Sequence, residues 1–276
     1  MPDDPAAMSL RAELSLRNQK FALSHGYLYE CTDGPIPSIV FGRDDEGRHG
    51  NFHPAVYERI CSNAVWARRL NKVHTASRRY RLRANWQWKE LDCANSSDAL
   101  LMNIFCHPAV MASIHVRTLL GSDWNEDVEF GVKPRTPLRN GGRDNTEVDM
   151  QVGDLLVEAK LTESDFQCAN QSLIARYRDL ESVFEVADLP MRDGKLSGYQ
   201  LIRGTLAAYA TGLSFSVFCD ARRPDLIQAW YGILRAVRAA DLRCRLKLLT
   251  WQELASVLPL NLQEFLAVKY GIFPSP

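Results

Sequence analysis

The sequence predicts an α/β protein in which a central mixed β-sheet is flanked by helices, and two observations carry that prediction. Three short β-like runs, "DVEFGVK", "TEVDMQV" and "LLVEAKLT", follow one another closely. Downstream, the β-like runs "LSFSVFCDA" and "RLKLLTW" alternate with stretches whose apolar residues recur at helical spacing. Strands in series, then strands alternating with helices, make a mixed sheet with helical layers.

Taken in order, residues 1 to about 90 read as irregular, with turn signals at "TDGPIPS" and "GRDDEGRHGN" and one helix from about His53 to Leu70. From Asn95 the patterns sharpen. "NSSDALLMNIF" opens on Ser caps and continues with helix formers, and Pro108 suits the first turn of a second helix that closes at Gly121. The three strands come next, the last two separated by Gly153 and Asp154. A polar helical stretch follows, then a helix in "GYQLIRGTLAAYATG" ending at Gly212, a strand, a helix opened by Pro224, and a last strand. Two helices, in "WQELASVL" and "NLQEFLAVKYG", complete the reading.

At 276 residues the chain is long for one core and short for two full-sized domains, so an N-terminal extension, 1–94, and a main core, 95–276, are expected. Hydrophobic residues at 46% and charged residues at 24% are ordinary for a globular protein. Lys plus Arg and Asp plus Glu balance at 33 each, so only local clusters can argue for a polyanionic partner. The acidic, proline-broken start "MPDDPAAMSLRAE" is the reverse of a secretion signal, and no apolar run reaches the roughly 18 residues of a membrane helix. A cytoplasmic location with no membrane partner is expected. Seven scattered cysteines without a CxxC fit reduced thiols, and six scattered histidines form no HxH pair. Cys106 beside His107 does not make a nucleophile and its base, because helix neighbours point in different directions. Neither a Walker A loop nor GxGxxG occurs, which argues against a nucleotide cofactor.

The chemistry concentrates in "TEVDMQVGDLLVEAK". With Gly153 and Asp154 as a two-residue turn, Val152 opposes Leu155, Gln151 opposes Leu156, Met150 opposes Val157, Asp149 opposes Glu158 and Glu147 opposes Lys160. One face then collects Val148, Met150, Val152, Leu155, Val157, Ala159 and Leu161, and reads as core. The other collects Glu147, Asp149, Gln151, Glu158, Lys160 and Thr162, with Leu156 its one apolar member. Such a face could simply meet water, yet like charges directly opposed destabilise a sheet, so either one acid is protonated or a cation lies between them. Mg²⁺ commonly takes one or two carboxylates and completes its shell with water and phosphate oxygens. Lys160 on the same face adds a fixed positive charge that could steer a water or offset phosphate charge. These are the parts for hydrolysing a phosphodiester.

Asp149, an eight-residue gap and Glu158-Ala159-Lys160 resemble the D…(D/E)xK signature of the PD-(D/E)XK nuclease superfamily, which includes restriction endonucleases. The order of helix, three-stranded meander, helix, strand and helix resembles that superfamily too, as do "SSDALLMNIF", "EAKLTESDF" and "GYQLIRGTLAAYA" beside the extended motifs of uncharacterised bacterial members. The resemblance runs from about Asn95 to the C-terminus and implies a restriction-endonuclease-like core. It implies Asp149 and Glu158 as metal ligands, with the Ala159 carbonyl as a third, and Lys160 as the catalytic lysine. Gln200 matches a polar position that some members place beside the site; it could equally stitch its helix to the sheet. Val148 stands where the signature has Pro. A further acid from the first helix would be Asp98, with Asn103 nearby, and otherwise Glu129 or Glu147.

From Trp66 to Lys89 the chain carries eight Lys or Arg, no acid, and Trp66, Tyr80, Trp86 and Trp88. Basic groups neutralise phosphates and aromatics stack on bases, so Arg68, Arg69, Lys72, Arg78, Arg79, Arg81 and Arg83 are candidates for a nucleic-acid contact; a solvated basic segment with its tryptophans in the core is the other reading. The expected function is a Mg²⁺-dependent nuclease acting on DNA, with Mn²⁺ as a substitute ion. Alternatives are a non-catalytic nucleic-acid or protein-binding module on the same fold, or a metal-dependent nuclease acting on RNA. Restriction enzymes often cut both strands as dimers, so a homodimer is an arrangement the resemblance allows.

Overall fold

A computed structural model describes residues 4–34, 36–73, 88–123 and 128–275. The helices and strands begin with α1 (Pro5–His25), the hairpin β1 (Tyr29–Cys31) and β2 (Ile39–Phe41), α2 (Pro54–Ser62) and α3 (Ala64–Arg69). They continue with α4 (Ser97–Phe105), α5 (Pro108–Met111), α6 (Ile114–Leu120), β3 (Glu129–Val132), β4 (Thr136–Pro137), β5 (Arg143–Asp144), β6 (Val148–Val152) and β7 (Leu155–Ala159). Next come β8 (Cys168–Ala169), α7 (Gln171–Ile174), α8 (Leu180–Val183), β9 (Met191–Arg192), β10 (Lys195–Ser197), α9 (Tyr199–Thr211) and β11 (Ser214–Cys219). The last are α10 (Pro224–Ala236), α11 (Ala240–Arg243), β12 (Leu246–Thr250), α12 (Trp251–Ala255) and α13 (Leu260–Tyr270). Among the described residues no helix is long and apolar enough to cross a membrane.

Two compact units emerge, one of 1–119 with 251–276 and one of 120–250, so the boundary drawn at residue 94 falls inside the first unit. The N-terminal stretch is not irregular. Asp4 caps α1 by accepting from the Ala6 N–H at 2.8 Å, Pro5 starts the helix, and Gly26 ends it at φ 65°. Leu10, Leu14 and Phe21 are buried while Leu16 and Leu23 are exposed, so the apolar residues spread around the helix and the sequence shows no clean stripe. The C-terminal helix returns to α1: the Asn18 amide donates to the Lys269 carbonyl at 3.0 Å, and the Lys269 ammonium to the Asn18 side chain at 2.6 Å.

The second unit is the expected mixed sheet, with strand order β12-β11-β7-β6-β3. β3, β6 and β7 form the antiparallel meander, and β11 and β12 add in parallel beyond β7. β7 is therefore central and buried along its whole length. Gly153 takes φ 54° in the β6–β7 turn, as the turn requires, and a Cβ there would lie 2.3 Å from the Asp123 carbonyl. α9 packs against β7 and β11. Gly204 permits the approach, because a Cβ at that position would lie 2.2 Å from the Phe215 ring. The stretch between β7 and α9 is not one polar helix: it holds the short helices α7 and α8 and a small sheet of order β8-β10-β9, turned at Asp193 and Gly194.

Candidate active site

The hairpin pairs as its turn dictates for three steps, Val152 with Leu155, Gln151 with Leu156 and Met150 with Val157. There the β6–β7 ladder ends. One carboxylate oxygen of Asp149 accepts the Ala159 N–H at 2.8 Å, taking the place of a backbone carbonyl. β7 meanwhile stays paired with β11, Glu158 beside Val217 and Ala159 beside Phe218, and the Lys160 N–H donates to the Phe218 carbonyl at 2.8 Å. The expected ladder pairs of Asp149 with Glu158 and of Glu147 with Lys160 are therefore not made. The Glu147 carboxylate instead lies 4.0 Å from Lys133, and its carbonyl accepts from Arg203 at 2.9 Å.

The polar face is covered along β7 and just beyond it, where Glu158 is 2% exposed and Lys160 5%, with Arg203 of α9 at 6% beside them, while Glu147 stays exposed and Asp149 and Gln151 are half-buried. An isolated ion at such depth is costly, so each needs a partner. The Lys160 ammonium donates to Glu158 Oε1 at 2.7 Å, and the Gln200 amide donates to the same oxygen at 2.7 Å. Arg203 Nη2 lies 3.9 Å from Glu158 Oε2. Burial alone would push the Lys160 amine down, but the charges of Glu158, Asp149 and Glu163 outweigh it and hold the amine above its ordinary value. Lys160 is thus an ammonium group among three carboxylates. It also lies 5.7 Å from the centre of the Phe166 ring.

Among the described residues no three His, Cys, Asp or Glu side chains form a complete metal cage. The donors at hand are hard carboxylate oxygens, the set that suits Mg²⁺ or Mn²⁺, and Mg²⁺ characteristically leaves part of its shell to water and phosphate. By donor chemistry alone, the carboxylates of Asp149 and Glu158 suit an ion of that kind.

Sequence reasoning missed Arg203 and its neighbours. The signal was present, since Arg203 follows Gln200 by three residues on a helix and so shares its face. Beside it, the Tyr177 hydroxyl donates to Asp144 at 2.5 Å and lies 3.3 Å from the Tyr199 hydroxyl. Burial would raise the Asp144 carboxyl, but bonds from Thr146 and Tyr177 and the charge of Arg203 hold it below its usual range.

The remaining candidates are placed elsewhere. Asp98 is buried and ion-paired with Arg69 at 3.0 Å and with Lys72, which accounts for all three without a ligand. Asn103 joins α4 to its surroundings, its amide donating to the Asn51 carbonyl and its oxygen accepting from the His53 N–H. Glu129 is exposed on β3 opposite Gln151. Trp66 is 2% exposed with Arg59 against its ring, so it belongs to the core and offers no stacking face. Arg68 is exposed. Arg78, Arg79, Arg81 and Arg83, with Tyr80 and Trp86, lie outside the described residues.

A family model described as restriction endonuclease associating with ARP matches residues 11–271. The match includes most of the N-terminal stretch that the signature alone leaves unexplained. No curated protein and no solved structure matches the chain.

Proposed function

Because the chain belongs to the family of restriction endonucleases associating with ARP, we propose that it is a Mg²⁺-dependent nuclease that hydrolyses phosphodiester bonds in DNA. The observation that carries the reading is the buried pair of Glu158 and Lys160, with half-buried Gln200 on the same carboxylate oxygen and Asp149 at the edge. Asp149 and Glu158 would hold the ion, which when bound supplies Lewis-acid polarisation of a phosphate and an acidified water. Lys160 as an ammonium has three donors and no acceptor. Its part is then to orient the attacking water and offset phosphate charge, not to take the water's proton. Gln200 keeps Glu158 Oε1 in place, and Arg203 adds positive charge beside Oε2. No side chain in the cluster acts as a nucleophile, so hydrolysis is direct: water forms the new P–O bond as the bond to the leaving sugar oxygen breaks.

One observation favours the non-catalytic alternative. Glu158 Oε1 and one Asp149 oxygen are already satisfied within the protein, as they would be in a purely structural cluster. The deciding experiment offers linear and circular double-stranded DNA, single-stranded DNA and RNA with Mg²⁺ or Mn²⁺ to the wild type, Lys160→Ala and Asp149→Asn. Metal-dependent cutting of DNA, lost in both variants, is expected. Cutting of RNA alone moves the substrate to RNA. No cutting, with a melting temperature unmoved by metal, leaves the binding module.

A further inference from the structure

β7 ends at Ala159, so Lys160 opens an irregular segment whose later residues no strand ladder fixes. The carbonyl groups of such a segment need other donors. Arg223, next to the start of α10 and completely buried, supplies three of its N–H groups to them. Its Nη1 donates to the Leu161 carbonyl at 3.2 Å and to the Glu163 carbonyl at 2.8 Å, and its Nη2 to the Ser164 carbonyl at 3.3 Å. The Asp225 carboxylate accepts from Nε at 2.9 Å and from Nη2 at 2.7 Å, and provides the counter-charge.

A guanidinium carries five N–H donors in one rigid plane. All five have acceptors here, and three of those acceptors belong to the residues just after Lys160. An arginine that only anchored its own helix would be satisfied by Asp225, two residues away. The same segment is held from its far end by α9: the Phe166 carbonyl accepts the Gln200 N–H at 3.1 Å, and the Gln167 carbonyl the Tyr199 N–H at 3.0 Å. Within it, the Glu163 carboxylate accepts the Leu161 N–H at 2.6 Å. Glu163 is also one of the three acids around the Lys160 amine, and the Phe166 ring lies against that amine.

We infer that Arg223 is a positioning residue for the candidate active site: by fixing the carbonyls of Leu161, Glu163 and Ser164 it sets where the Lys160 ammonium and the Glu163 carboxylate stand. Arg223 reaches backbone and Asp225 only, so its effect on the reaction passes through Lys160. The inference rests on the nuclease reading above. Lysine cannot replace the arginine, because its three donors radiate from one nitrogen on a flexible stem and cannot span three carbonyls and a bidentate carboxylate.

The test is a double-mutant cycle on the full chain, with cutting of DNA in the presence of Mg²⁺ as the rate and melting to confirm the fold of each variant. In the wild-type background Arg223→Lys is expected to lower kcat about 10²-fold, the loss that misplaced reacting groups bring, with KM changed less than about threefold. In the Lys160→Met background the same substitution is expected to lower kcat less than about threefold, because the group it positions is gone. A merely structural arginine would cost the same factor in both backgrounds. Asp225→Asn, which loosens the guanidinium and keeps it, is expected to show the same pattern with a smaller loss, and serves if Arg223→Lys does not fold. Equal losses in both backgrounds, or an unchanged kcat in the folded variants, overturns the positioning role and leaves the nuclease reading standing. No cutting by the wild type overturns both.

Discussion

Lys160 and Lys269 are both buried, one in each unit of the chain, and their neighbours give them opposite character. Lys160 lies among Glu158, Asp149 and Glu163 and is held as a cation. Lys269 donates to the Asn18 side chain and, at 3.0 Å, to the Gly50 carbonyl, with its amine 3.9 Å from the centre of the Phe41 ring. Burial pushes its amine well below the ordinary lysine value. The same side chain at the same depth is thus a fixed charge where acids surround it and a poor base where they do not. What marks the candidate active site is therefore the convergence of acids on an amine, and not burial of an amine as such.

The sharpest way to break this contrast is Lys160→Met. It strips Glu158 of its nearer counter-ion and leaves only Arg203 at 3.9 Å, so metal-dependent cutting is expected to fall at least about 10²–10³-fold and unfolding free energy by up to about 3–5 kcal/mol. Rate assays and urea denaturation read the two effects. Full activity in this variant would place the lysine outside the chemistry.

A pH series separates the two amines next. The folded value of Lys269 lies below its unfolded value, so the unfolded chain binds a proton that the native chain refuses. Its contribution to stability must then rise with pH, from the folded value up to the ordinary lysine value of about 10.4. Lys160 has the reverse sign: its contribution is complete below about 10.4 and is lost only as pH climbs through the raised folded value. The stability difference between wild type and Lys269→Met should therefore slope upward from pH 8 to 10, by at most about 1.4 kcal/mol per pH unit. The difference between wild type and Lys160→Met should stay flat over that window. A flat Lys269 difference would mean that this amine is charged in the core.

The smallest expected effect comes from Gln200→Ala. It removes one of the two donors on Glu158 Oε1 and leaves the ion pair with Lys160 intact. Turnover should fall by about tenfold or less, near the ~1 kcal/mol worth of one hydrogen bond. A loss as large as that of Lys160→Met would make Gln200 a direct partner of substrate.

Much of the second unit was legible because its signals are local. Gly153 sets the turn, alternation sets the faces, and Gly212 ends the helix that carries Gln200. Long-range decisions were not legible. Nothing within "LLVEAK" tells that β11 will pair with β7 in parallel and make it central, and that pairing is what buries Glu158 and Lys160. Without it the polar face reads as a wet surface, and the opposed acids read as a direct cross-strand pair when Asp149 in fact bonds the Ala159 N–H. Arg203 escaped because its partners, the Glu147 carbonyl and Glu158, lie 56 and 45 positions away along the sequence. In the first unit, α1 escaped because exposed Leu16 and Leu23 blur its stripe.

Gly204 gives the cluster a dimensional tolerance. Gln200 and Arg203 reach Glu158 from a helix that sits on Phe215 with no room for one more carbon. A methyl group there must lift the helix or tilt the ring, and reacting groups displaced by about 1 Å commonly lose about 10²-fold in rate. A lesion at 204 would thus register twice, in the kinetics through the displaced groups and in the melting curve through an overfilled core that costs about 1–3 kcal/mol.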